Sequence, residues 1–195
     1  MKFLKYHEEK SIAFVTLNRP ELRNAFNVEM IAEIKDAFVR LSTRQDLRAI
    51  VLSGEGKSFC AGGDLNWMKD MVNYSMEQNR EDAHQLFEMF ESILHCHIPV
   101  IGMVHGSAFG GALGLVACCD YVIAEEKTQY CFSEVKLGLA PAVISAFVQK
   151  KCTLGHVGHF MLSGQVFSSK EAQLDRKSTR LNSSHTDISR MPSSA

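Results

Sequence analysis

The stretch Phe109-Gly110-Gly111-Ala112-Leu113-Gly114-Leu115 follows a β-rich run from Pro99 to Val104 and leads into an apolar, helix-forming segment. A strand that breaks at paired glycines and restarts as a helix lets a ligand reach bare backbone. It also leaves the first helical N–H groups unpaired and aimed outward, where they can stabilise a developing negative oxygen. Paired glycines also serve close helix packing, so the reading depends on a second loop.

That loop is Ser58-Phe59-Cys60-Ala61-Gly62-Gly63-Asp64-Leu65. It follows the β-rich run Arg48 to Ser53 and a turn at Gly54-Glu55-Gly56, and it places Asp64 where a helix N-cap belongs. Two strand-to-helix turns in one domain can each supply one N–H, and two converging donors form an oxyanion hole.

Ser58 to Asp64 together with Pro99 to Asp120 resembles the crotonase, or enoyl-CoA hydratase/isomerase, superfamily. Leu17-Asn18-Arg19-Pro20 with Arg23-Asn24-Ala25-Phe26 is similar to its N-terminal signature, and Phe132 to Pro141 to the segment after its second glycine loop. The resemblance runs from about Phe3 to Ala172 and closest to the methylglutaconyl-CoA and isoprenoid-type hydratases.

Several expectations follow from that resemblance. The fold is α/β, a spiral of β-β-α units whose C-terminal helical region is truncated. Gly63 and Gly111 are the oxyanion donors, and Glu134 is the acid/base. Arg23, Ala25, Ala61, Asp64, Trp67 and Gly110 line the substrate and CoA groove, with Trp67, Met68, Met71 and Tyr74 near the acyl chain. The reaction is addition of water to an α,β-unsaturated acyl-CoA in fatty acid or leucine degradation. Isomerisation by a single glutamate, or CoA binding without catalysis, is the alternative. Coenzyme A arrives as part of the substrate, so no separate cofactor is expected, and the relatives imply a homotrimer or hexamer.

One position departs from the pattern. Many relatives use a second glutamate, which falls at Gly114, and glycine cannot transfer a proton. His105, beside the second loop, carries an imidazole that titrates in the useful range and is a candidate substitute, the alternative being a hydrogen-bonded structural histidine. His95 and His97 flank Cys96 without the further ligands of a metal site, so no metal is expected.

Of the 195 residues 46% are apolar and 22% charged, with a net charge of −1, which suits one globular domain. No basic block points to nucleic acid or an anionic membrane. The six cysteines lack C-x-x-C spacing and sit mostly in apolar runs, which suits reduced thiols. No run reaches the roughly 20 apolar residues of a membrane span, and Met1 to Glu8 lacks an apolar signal core, so a cytoplasmic location is expected. Residues 1–174 read as the acyl-CoA-binding domain. Residues 175–195, rich in serine and without apolar period, read as a disordered, non-native tail that resembles translated adapter sequence.

Periodicity predicts strands over Phe3–Tyr6, Ile12–Leu17, Arg48–Leu52, Pro99–Val104, Asp120–Ala124 and Gln129–Phe132. It predicts helices over Val28–Leu41 and Met76–Cys96.

Overall fold

The computed structural model describes residues 1–152, 154–174 and 181–182. Alternating polar and apolar residues form β1 (Leu4–Glu9) and β2 (Ile12–Leu17), an antiparallel hairpin that buries Leu4, Ala13, Val15 and Leu17. Asn27 then caps helix α1 (Val28–Ser42) by accepting the Met30 N–H. Met30, Ile31, Ile34, Ala37, Phe38 and Leu41 form its buried stripe. Each such large apolar side chain contributes roughly 1.5–3 kcal/mol over its exposed state.

The next elements repeat one pattern three times. Strand β3 (Ala49–Gly54) leads through a bridge at Cys60 into helices α2 (Leu65–Asp70) and α3 (Met76–Leu94). Strand β4 (Val100–Val104) leads through β5 (Ser107–Phe109) into α4 (Ala112–Cys118). Strand β6 (Tyr121–Ala124) leads through β7 (Gln129–Cys131) and a 3₁₀ turn into α5 (Ala142–Lys151). Each first strand joins a large sheet and each second strand or bridge joins a small one, so the chain winds as a spiral of β-β-α units. Helices α6 (Leu154–Ser163) and α7 (Ser169–Leu174) follow, separated by β8 (Phe167–Ser168).

The large sheet has the order β1-β2-β3-β4-β6-β9, parallel from β2 onward, and the small sheet the order β5-β7-β8. Strand β9 is Leu181–Asn182, paired in parallel with Val122 and Ile123. These two residues form strand where the sequence reading expected no order, because the edge of β6 offers free backbone groups to any chain beside it. The other tail residues lie outside the described ones.

The predicted strand from Pro99 does not itself lead into α4. Gly106, at φ +61°, turns the chain out of the large sheet, and Ser107–Phe109 pair with β7 in the small one. A Cβ at Gly106 would lie 2.0 Å from the Lys57 carbonyl oxygen, so only glycine fits this crossing. The second glycine loop therefore starts from the small sheet.

Candidate active site

The two glycine loops lie side by side. Cys60 N–H donates to the Ser107 carbonyl at 3.2 Å, and Phe109 N–H donates to the Cys60 carbonyl at 3.1 Å. A Cβ on Gly62, which sits at φ +87°, would be 2.6 Å from the Phe109 carbonyl oxygen and 3.1 Å from the Gly111 nitrogen. The missing side chain at Gly62 is what lets the loops meet.

The hydrogen-bond pattern frees the two expected donors. Phe26 forms a parallel bridge to Gly63 by donating to the Gly62 carbonyl at 2.8 Å and accepting from the Asp64 N–H at 3.0 Å. In such a bridge the central residue of the facing strand, here Gly63, uses neither its own N–H nor its C=O. On the other loop, Gly110 N–H is bound to the Cys131 carbonyl at 2.8 Å. Among the described residues neither the Gly63 nor the Gly111 N–H has an acceptor.

Glu134 reaches this place from the 3₁₀ turn Ser133–Leu137. Its Oε1 would stand 3.3 Å from a Cβ on Gly110, with Ser133 Oγ at 3.0 Å, so the carboxyl rests against the loop that carries Gly111. Its Oε2 is buried and has no hydrogen-bond partner. Burial pushes the Glu134 carboxyl above the usual glutamate range, only partly offset by its own backbone N–H.

Gly114 has a different surrounding from the one its motif position suggests. A Cβ there would lie 2.5, 2.7 and 3.0 Å from three ring carbons of Phe90, a fully buried residue of α3. Phe90 is in turn packed against Phe147 at 5.1 Å between ring centres. The space into which a glutamate at 114 would project is filled by this ring.

Of the residues expected to line the groove or acyl pocket, Trp67 and Met68 flank Gly63: Trp67 Cζ3 and Met68 Sδ would be 3.7 and 3.4 Å from a Cβ on it. Trp67 is half-buried and donates its Nε1–H to Asp82 at 3.1 Å. Arg23 has an exposed side chain, and its carbonyl accepts the Ala61 N–H at 2.9 Å. Ala25 is buried and accepts at its carbonyl from Arg19 at 2.8 Å. Both carboxyl oxygens of Asp64 already have partners, the Asn66 N–H at 2.8 Å and Arg19 Nη1 at 2.6 Å. Burial works to raise the Asp64 carboxyl, but the Asn66 N–H and the Arg19 guanidinium outweigh it and hold it below the usual range. His105 is tied to the Gly56 carbonyl through Nε2 at 2.9 Å, which engages one ring nitrogen in the loop scaffold.

Sequence reasoning gave Asn24, Arg19 and Phe90 no task. Asn24 is fully buried, and its Nδ2 donates to the carbonyls of Glu55, Ser58 and Phe59 at 2.9, 2.8 and 3.1 Å. Its Oδ1 accepts the Arg19 N–H at 2.9 Å. The one available signal was a pair of polar residues within a motif otherwise destined for the interior. Among the described residues no cluster of three metal-ligating side chains occurs, and no helix is long and apolar enough to cross a membrane.

The sequence profile of the enoyl-CoA hydratase/isomerase family matches residues 7–174. The chain belongs to that family. It is 36% identical over 141 residues to enoyl-CoA hydratase ACTT6 of Alternaria alternata, covering 70% of this chain and 44% of that protein. It is 35% identical over 146 residues to the mitochondrial Δ(3,5)-Δ(2,4)-dienoyl-CoA isomerase of Mus musculus, covering 69% of this chain and 44% of the relative. An enoyl-CoA hydratase from Shewanella pealeana superposes with a TM-score of 0.85 at 36% identity, over 88% of this chain and 65% of that one. The chain thus spans less than half the length of these two curated relatives, and it has the crotonase fold that the sequence motifs implied.

Proposed function

We propose that this site binds an α,β-unsaturated acyl-CoA thioester and adds water across its double bond. The observation that carries this reading is the buried, unpartnered Oε2 of Glu134 beside the glycine loop. A buried carboxyl oxygen without a partner is costly, and a substrate water supplies the missing donor. The thioester oxygen would lie between the free N–H groups of Gly63 and Gly111, each worth about 2.7–4 kcal/mol to an oxyanion. Glu134 takes a proton from the water, the hydroxyl joins the β-carbon, and negative charge moves to the thioester oxygen. The same carboxyl then returns its proton to the α-carbon.

The packing of Phe90 on Gly114 favours a second reading, a proton shift along the acyl chain, because that reaction needs one carboxyl alone. In either case Arg23, Ala25, Ala61, Asp64, Trp67 and Gly110 form the groove for the acyl-CoA, and residues 1–174 form the binding domain, working in a homotrimer or hexamer in the cytoplasm. Coenzyme A enters only as part of the substrate.

Absorbance of the conjugated thioester decides between them. Loss of absorbance from a 2-enoyl-CoA marks hydration, a gain from a 3-enoyl-CoA marks isomerisation, and neither would leave a CoA-binding protein. Glu134→Gln keeps the shape of the carboxyl and is expected to abolish either signal while acyl-CoA binding persists. Retained turnover would place the chemistry elsewhere.

A further inference from the structure

We propose that the buried Arg19–Asp64 ion pair is a positioning device that sets the direction of the Gly63 N–H; this rests on the reading of Gly63 as an oxyanion donor. The Gly63 N–H shares its peptide plane with the Gly62 carbonyl, which accepts the Phe26 N–H at 2.8 Å, so the direction of the free N–H is set from the Phe26 side of the bridge. Gly62 itself, at φ +87°, is a residue with wide backbone freedom. The orientation rests on the Phe26 N–H, which shares its own plane with the Ala25 carbonyl held by Arg19, and Asp64 is the carboxylate that holds the arginine.

Asp64 is fixed in three ways. Its N–H donates to the Phe26 carbonyl at 3.0 Å, its Oδ1 accepts the Asn66 N–H at 2.8 Å, and its Oδ2 meets Arg19 Nη1 at 2.6 Å. The same Nη1 donates to the Ala25 carbonyl at 2.8 Å, one residue from Phe26. Arg19 thus clamps both sides of the bridge at which Gly63 sits, and its own backbone is tied to Asn24.

The clamp is nearly out of solvent, with side-chain exposures of 14% for Arg19 and 9% for Asp64. Burying such a pair costs desolvation that an apolar pair avoids, so stability alone does not account for it. A planar guanidinium offers fixed direction instead, because its N–H groups cannot rotate independently. Error in donor placement is what an oxyanion hole tolerates least, since a shift of about 1 Å can cost on the order of 100-fold in rate.

The test compares the wild type with Arg19→Met/Asp64→Asn and with Arg19→Lys. The double variant removes both charges and leaves no unpaired ion, and asparagine still caps α2. Arg19→Lys keeps the charge but loses the fixed planar reach to two acceptors. Three quantities are read: the thermal midpoint, kcat against KM for an enoyl-CoA, and the carbonyl stretch of a bound saturated acyl-CoA. The expected result is a kcat about 10–100-fold lower with KM within about threefold. The carbonyl shift seen on the wild type should shrink in both variants, while Arg19→Lys keeps the wild-type midpoint. Wild-type kcat and carbonyl shift in either folded variant overturn the positioning role alone. Absence of any carbonyl shift on the wild type overturns the oxyanion reading itself, and the proposal with it.

Discussion

Glu134 is held in a state that favours chemistry over stability. Its carboxyl pKa is raised mainly by burial, so the folded protein binds that proton more tightly than the unfolded chain does. The stabilising contribution is then full below the unfolded pKa and is lost as pH rises through the folded one. At neutral pH, Glu134→Gln should have a higher thermal midpoint than the wild type, with the difference vanishing in acid; calorimetry across pH 4 to 8 checks it. As a base Glu134 acts when ionised, so the rate should rise with pH along a limb above the ordinary glutamate range. The two donor glycines differ as targets. A Cβ on Gly111 would be 2.4 Å from Phe26 Cζ, whereas one on Gly63 meets nothing closer than 3.4 Å. Gly111→Ala should therefore lose about 1–3 kcal/mol by overpacking, and Gly63→Ala much less, as denaturant midpoints would show.

Helix α4 shows where the sequence was readable and where it was not. Its start at the paired glycines and the Asp64 cap of α2 were visible because each depends on residues close together in the chain, whereas Glu134 was marked by the family resemblance of its segment. The partner of Gly114 was not visible, since Phe90 comes from α3, and its place is set by packing across the interior. The same holds for β5, whose three residues carry too little period to stand out and acquire strand form only through β7. Gly114 gives no extra room to an acyl chain, because the ring of Phe90 already fills that space. Gly114→Glu alone is expected to destabilise by overpacking and to leave a buried carboxyl, with a loss of at least about 2 kcal/mol. Adding Phe90→Ala should recover much of that loss, and a double-mutant cycle of unfolding free energies measures the coupling. Additive losses would mean that the two side chains do not compete for one space.

Across the whole molecule, the spiral brings segments distant in sequence to one point. Residues 19–26, 58–64, 107–111 and 131–134 meet there, held by backbone bonds from loop to loop and by the amide of Asn24. Asn24→Asp changes almost no volume but turns a donor of three hydrogen bonds into an acceptor facing three carbonyls. It should cost about 1–3 kcal/mol or more and lower turnover through the loop it supports, as paired melting and rate measurements would show. The bridge between Phe26 and Gly63 has one more outcome. It engages the Gly62 carbonyl and the Asp64 N–H and omits the N–H of Gly63 itself. In deuterated water the Gly63 hydrogen should therefore be replaced faster than the Asp64 hydrogen next to it, and a bound thioester should slow the first while barely touching the second. The fold has left a single proton there as an isotopic reporter of whether the site is filled.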